Sequence, residues 1–350
     1  MNPATINKLR QNLITHKLDG LLVTKEANIS YLSGFRGAGQ LLITPKKRIL
    51  IVDFRFKEQA EKTKGPFQIC QRLNFRPFEQ SLSSLAKKLK LKRLGFESPW
   101  LPFELYRRFK SVLGPVKLVP TTNIVEELRV IKSPKELVHL KKAALLAMQS
   151  YDLAKRIIKP GRKEVAIARE LQYAMRKQGA QDCSFELIIA SGRRSSMPHA
   201  TASEKVIKNN EAVLLDLGCR VSDYNSDLTR MVFLGKIRGK IKQIYEAVFQ
   251  AQQLAIKAVK AGVKISEIDK IARRHLSKKG FRRFFGHALG HGIGREVHEY
   301  PSISPKNQDL LKEGMVFTIE PGVYIPGLGG IRVEDMVLVT KNGCEVLTKE

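Results

Sequence analysis

Cysteine is scarce and scattered: Cys70, Cys183, Cys219 and Cys344 are the only four in 350 residues, and no two stand in C-x-x-C spacing. That excludes a disulfide framework and a cysteine-based zinc knuckle, and reduced thiols are expected. Long apolar runs are missing as well. The opening MNPATINKLRQNLITHKLDG has polar residues where a signal peptide needs its apolar stretch, and nowhere do 18 uninterrupted apolar residues occur. Neither a secretory leader nor a membrane-spanning helix is predicted, and a cytoplasmic location is expected.

Acidic residues are few relative to basic ones, 33 against 62, for a formal charge of +29. Such a surplus attracts nucleic acid or anionic membrane without any dedicated site. The basic residues are dispersed through TPKKR, KKLKLKR, KIRGKIK and SKKGFRR, and no aromatic-rich RNA-binding signature accompanies them. A solvated basic surface is the reading, with nucleic acid reached only non-specifically.

What is present is a soluble globular composition, 43% hydrophobic and 27% charged, in a chain long for one core and natural for two domains. Residues 21–25, 41–44 and 49–53 read as short buried strands interleaved with amphipathic segments such as 80–91. This α/β block is predicted over 1–125, and a second domain over 126–350. Ser133-Pro134-Lys135-Glu136 has the pattern of a helix start, opening a helical run of about 134–158. Lys159, Gly161, Lys163, Ile167, Lys177 and Gly179 recur at one offset as Lys260, Gly262, Lys264, Ile268, Lys278 and Gly280. A duplicated helix-plus-hairpin unit accounts for that repeat.

Each half then carries paired acids. Asp216 sits in an apolar run and Asp227 opens another; a hairpin centred on 221–222 sets them face to face. At about 5 Å, two like charges repel by roughly 3 kcal/mol at an effective dielectric of 20. In VFTIEPGVYIPGLGGIRVEDMVLV, pairing about position 327 faces Glu320 against Glu334. Arg230 and Arg332 each offset one acid at most, and Asp223 and Asn225 are read as turn residues. Two divalent cations would balance all four acids. Oxygen donors suit Mn, Mg or Ca, and one imidazole shifts the balance toward Mn, Co, Fe or Zn.

The stretch GHALGHGIGREVHEYP, 286–301, holds three of seven histidines. Its glycines argue against a helix presenting two rings to one metal, and for backbone in close approach around a crowded pocket. One imidazole completing a carboxylate site, with others hydrogen-bonding substrate, fits better than a three-histidine site.

SFELIIASGRRSSMPHATAS, LLDLGCRVSDYNSDLTRMV, GHALGHGIGREVHEYP, FTIEPGVY and IRVEDMV occur in one order, preceded by LDGLLVTKEANISYLSGFRG and IVDFRFKEQAE. On these motifs the chain resembles the Xaa-Pro aminopeptidase and prolidase branch of the pita-bread metallopeptidases over nearly its full length. The resemblance implies a creatinase-like N-terminal α/β domain followed by a pita-bread catalytic domain with internal pseudo-twofold duplication. It implies Asp216, Asp227, His291, Glu320 and Glu334 as ligands of two divalent ions, Mn first and Co, Zn or Fe as alternatives, with Asp227 and Glu334 bridging. It places His199, His287 and His298 at the substrate, Glu320 as the proton shuttle, and Tyr324 and Arg332 as support. Hydrolysis of an Xaa-Pro bond in a peptide and a homodimer follow as expectations. Asp223 replaces the glycine usual before the tyrosine of the hairpin, and Arg193 and Arg194 raise acidic substrates as an expectation. The rival functions are a pita-bread binding module that holds RNA or protein on its basic surface, and creatinase-like C–N hydrolysis, which needs no metals.

Overall fold

Ser133 caps the longest helix, Pro134–Ile157: its side chain accepts from Glu136 N–H while the Glu136 side chain accepts from Ser133 N–H, with proline in the first turn. Two otherwise orphaned donors are thereby satisfied reciprocally. The helix buries Leu140, Ala143, Ala147, Tyr151 and Ala154, a stripe at three- and four-residue spacing whose alanines allow close packing. A computed structural model describes residues 3–63, 65, 67–72, 77–237 and 239–349, so Arg238 of the KIRGKIK run lies outside the described residues.

The chain divides into two compact units, Met1–Leu128 and Arg129–Glu350. In the first, a six-stranded mixed sheet runs in the order Gln68–Gln71, Arg48–Val52, Gln40–Ile43, Gly20–Val23, Arg93–Glu97, Lys117–Thr121. The predicted strands are there, starting one residue earlier in each case, and the amphipathic segment forms the helix Phe78–Lys88. Period-two alternation gives the sheet two buried faces: Leu21 and Val23 pack in one apolar cluster, and Leu22 in another.

The second unit carries the duplication. Glu164–Lys177 and Ile265–Lys278 are both 14-residue helices, displaced by the offset seen in the sequence. The repeated glycines adopt matching positive φ, +87° at Gly161 and +85° at Gly262, +99° at Gly179 and +83° at Gly280. Each helix is preceded by a lysine forming a lone β-bridge, Lys163 with Val206 and Lys264 with Leu310. Inside lie a three-stranded sheet of Ile188–Ser191, Ala212–Leu217 and Leu228–Phe233, and a five-stranded sheet containing Gly290–Gly292, Val316–Ile319 and Asp335–Val339. No helix among the described residues is long and apolar enough to cross a membrane.

Candidate metal centre

The first acidic ribbon departs from its predicted register. Ala212–Leu217 pairs antiparallel with Leu228–Phe233 so that Asp216 faces Thr229, not Asp227. Ser222 and Asp223 both have positive φ, +50° and +66°, and Val221 pairs with Tyr224 around them. That is the backbone a two-residue turn needs between twisted strands, and it centres the hairpin between 222 and 223 rather than 221 and 222. Asp223 thus occupies a left-handed position where glycine is the easier fit. Asn225 is not a turn residue: it is buried in the second strand, and both its backbone N–H and its Nδ2 donate to Gly294 O.

The second ribbon keeps its expected register. Ile319 faces Asp335 and Gly322 faces Arg332, so the pairing about position 327 carries Glu320 opposite Glu334 across the gap between the two strand pairs. Asp335 points the other way, accepting from Arg230 Nη2 at 2.7 Å, Gln252 Nε2 at 2.5 Å and Thr348 Oγ1 at 2.8 Å. Arg230 is therefore spent on Asp335 and does not neutralise the inner acids.

His291 arrives on the short strand Gly290–Gly292, not on a helix, and the glycines beside it are sterically required. A Cβ on Gly290 would lie 1.9 Å from Thr318 O, and one on Gly292 would lie 2.3 Å from Tyr300 O. The His291 ring sets Nδ1 3.1 Å from Gly292 O, which makes Nδ1–H the donor and leaves Nε2 with its lone pair. That nitrogen points at Glu320 Oε1, 3.3 Å away, and Asp227 Oδ2, 3.6 Å away. Burial lowers the His291 pKa, which favours the neutral ring with its Nε2 lone pair aimed at the two carboxyl groups.

All four predicted acids and all four predicted histidines line one cavity of about 600 Å³, with Tyr324 and Arg332 in its wall. Asp227 and Glu334 are pushed well above ordinary carboxylate values, first by burial and then by the neighbouring acids, and burial raises Glu320 to about 7 against the pull of Arg332. Arg332 Nη2 donates to Asp216 Oδ2 at 2.6 Å, and Thr229 Oγ1 donates to Glu334 Oε2 at 2.7 Å. The companion oxygens, Asp216 Oδ1 and Glu334 Oε1, together with Asp227 Oδ1, are buried with no hydrogen-bond partner among the described residues. Ligand atoms of Asp227, His291 and Glu334 all lie within 4.8 Å of one another. Asp216 and Glu320 fall outside that tight set, Asp216 being held to one side by Arg332. One arginine cannot offset four carboxylates, and three orphaned oxygens plus an imidazole lone pair are a donor set that fits divalent cations.

The remaining site residues form a directed chain. Arg332 Nη1 donates to Tyr324 Oη at 2.8 Å, Tyr324 Oη is 3.1 Å from His287 Nε2, and His287 Nδ1 is 2.7 Å from Ala288 O. Burial holds His287 near a pKa of about 4, so it is neutral, donating through Nδ1 and accepting the tyrosine hydroxyl through Nε2. His298 stands beside His291, ring centroids 4.3 Å apart, and burial and that neighbour lower its pKa. His199 reaches the cavity from the loop after Ser196. Neither Arg193 nor Arg194 is among the residues lining it, and Arg194 is bound to buried Glu164 and donates to Thr201 O, so its guanidinium is committed elsewhere. Sequence reading missed Thr229 and Thr318; the latter bonds Glu320 at 3.1 Å and receives His291 N–H at 3.1 Å. Each lies two positions from a predicted ligand, Thr229 from Asp227 and Thr318 from Glu320, a signal available in DLTRMV and VFTIE.

Comparison with known proteins matches this architecture. The model for metallopeptidase family M24 covers residues 138–341, and that for the creatinase/prolidase N-terminal domain covers 5–131. The Xaa-Pro dipeptidase of Pyrococcus horikoshii is 36% identical over 98% of this chain and 96% of its own length. A solved Xaa-Pro dipeptidase from Bacillus anthracis superimposes with a TM-score of 0.96 at 39% identity, covering 99% of this chain and 97% of that one. An X-Pro aminopeptidase from Thermotoga maritima gives 0.89 at 36% identity, with 95% and 96% covered. With its carboxylate and imidazole donors gathered in the matched region, this chain belongs to metallopeptidase family M24, behind a creatinase/prolidase N-terminal domain.

Proposed function

We propose that the protein is a dinuclear metallo-exopeptidase that hydrolyses the bond between an N-terminal residue and a following proline. The observation that carries this reading is the inward donor set: Asp216 Oδ1, Asp227 Oδ1 and Glu334 Oε1 without hydrogen-bond partners, beside the His291 Nε2 lone pair. Relatives named Xaa-Pro dipeptidase and X-Pro aminopeptidase, at 36–39% identity, support the bond class. Asp216, Asp227, His291, Glu320 and Glu334 would hold the ions. Manganese suits the oxygen-rich set with one imidazole, ahead of cobalt, zinc or iron.

When bound, such ions supply Lewis acidity to a water and to the scissile carbonyl. The chain's own groups handle the proton and the substrate. A carboxylate oxygen of Glu320 takes the proton of the attacking water and delivers it to the proline nitrogen, so that the new C–O bond replaces the C–N bond and the leaving amine departs neutral. His199 and His298, at the cavity wall, donate N–H groups to the substrate carbonyl region. His287 serves differently, holding Tyr324 and through it Arg332 and Asp216 in place. A homodimer is part of the proposal by family likeness.

The +29 charge favours a second reading, non-specific binding of nucleic acid to the surface. One experiment separates them: manganese-supplemented protein against Ala-Pro, Ala-Pro-Ala and Met-Ala peptides, with RNA binding measured at low and high salt. Cleavage confined to the proline peptides supports the peptidase and reads its length preference. No cleavage, with steeply salt-dependent RNA binding, rejects it in favour of the binding module.

A further inference from the structure

Asp269 and Arg273 stand one turn apart on the helix Ile265–Lys278, outside the cavity lining. Asp269 is fully buried, and its two oxygens accept from Arg273 Nε at 2.7 Å and Nη2 at 2.8 Å. The arginine fork then reaches past the carboxylate: Nη1 donates to Phe285 O at 3.0 Å and Nη2 to His287 O at 2.9 Å, with the guanidinium 4.2 Å from the Phe285 ring centroid. Asp269 Oδ1 also accepts from Leu289 N–H at 3.2 Å. All of these contacts land on 285–289, the irregular segment between the turn Arg282–Phe284 and the strand Gly290–Gly292.

That segment has one functional side chain, and it is His287. A planar guanidinium fixed by a buried carboxylate is a rigid template for two carbonyls, whereas a free loop would let the imidazole swing away from Tyr324. The duplicated half has no equivalent, because the offset positions are Ala168 and Gln172. The clamp is therefore an addition to one lobe and not a by-product of the repeat.

We infer that Asp269 and Arg273 are positioning residues for His287, holding the 285–289 backbone so that its Nε2 meets the Tyr324 hydroxyl and orders the Tyr324–Arg332–Asp216 chain. The activity arm of the test rests on the peptidase reading; the spectroscopic arm does not.

Arg273→Lys keeps a cation beside Asp269 but loses the planar fork that binds the carboxylate and both carbonyls together. In manganese-loaded enzyme it should lower kcat for Ala-Pro cleavage by about tenfold to a hundredfold, the scale of a misplaced catalytic group, while KM stays within about twofold. In a His287→Ala background the same substitution should change kcat by less than about twofold, because the two act as one unit. An equal loss in both backgrounds overturns the inference and leaves a purely structural ion pair. Independently, histidine-ring nitrogen NMR should show His287 as a single Nδ1–H tautomer in the wild type and as a mixture in Arg273→Lys. An unchanged signal overturns it too. If Arg273→Lys does not fold, Asp269→Asn is read by the same two measurements. A wild type that cleaves no Xaa-Pro peptide refutes the peptidase reading and leaves the NMR comparison to decide this one.

Discussion

His291 Nε2 points at Glu320 Oε1 across 3.3 Å, with Nδ1 already engaged by Gly292 O. A neutral imidazole lone pair facing a carboxyl oxygen needs a proton or a cation between them; burial opposes the proton on the ring, and a metal ion takes the place of the one that the raised Asp227 and Glu320 would otherwise hold on their carboxyl groups. Metal should therefore stabilise the folded protein directly. At a manganese concentration of a hundred times Kd the gain is about 2.7 kcal/mol per site, read as a rise in thermal midpoint over chelator-treated protein. His291→Ala should remove most of that rise; a midpoint indifferent to manganese in the wild type would contradict the donor set.

The loop that carries His298 is tied down by a buried ion cluster. Glu299 accepts from Arg129 Nη2, from Lys132 Nζ at 2.9 Å and from Glu296 N–H at 2.9 Å. Burial alone would raise its pKa, but Lys132 and Arg129 pull it from 4.5 down to about 2. A depressed carboxylate contributes stability that is fully present above its unfolded value and is lost as pH falls toward the folded one. That contribution is about 3 kcal/mol. Glu299→Gln should cost about that much in urea unfolding at pH 7, with the gap from wild type narrowing between pH 4.5 and 2. A gap that widens in acid would contradict the assignment.

Two glycines four residues apart should respond differently to the same methyl group. At Gly290 the added Cβ would meet Thr318 O, a backbone atom of the neighbouring strand, at 1.9 Å, whereas at Gly286 nothing lies within 4 Å. Gly290→Ala should destabilise by about 3 kcal/mol or more, the cost of forcing packed backbone apart, and Gly286→Ala by about 0.5 kcal/mol or less. Chemical denaturation of the two variants checks this; equal midpoints would mean that the strand is not wedged where it is drawn.

Much of the fold was legible because its signals are local and periodic. Ser133-Pro134-x-Glu136 announces a capping box, and Gly161 and Gly262, with Gly179 and Gly280, repeat because each takes a positive φ that other residues avoid. The pairing of Glu320 with Glu334 was legible from the symmetric spacing about Gly327, where the loop leaves little freedom in register. The pairing of Asp216 was not: its register depends on Ser222 and Asp223 both adopting left-handed backbone, which neither residue type announces. Arg194 was misjudged for a different reason. Its partner Glu164 lies 30 residues away, and only tertiary structure shows that the guanidinium is committed. Thr229 and Thr318 lay in plain view, yet a single hydroxyl in an apolar strand gains meaning only once its carboxylate partner is in place.

The proposed cation pair is tested most directly by elemental analysis of manganese-loaded, dialysed protein, wild type beside Asp227→Asn. Asp227 is the acid whose ligand atom sits with those of both His291 and Glu334, so removing its charge should weaken metal retention. The expected result is about two metal equivalents per wild-type chain and one or fewer in the variant. Wild-type protein that keeps no metal, or an Asp227→Asn protein that keeps as much as the wild type, would contradict it.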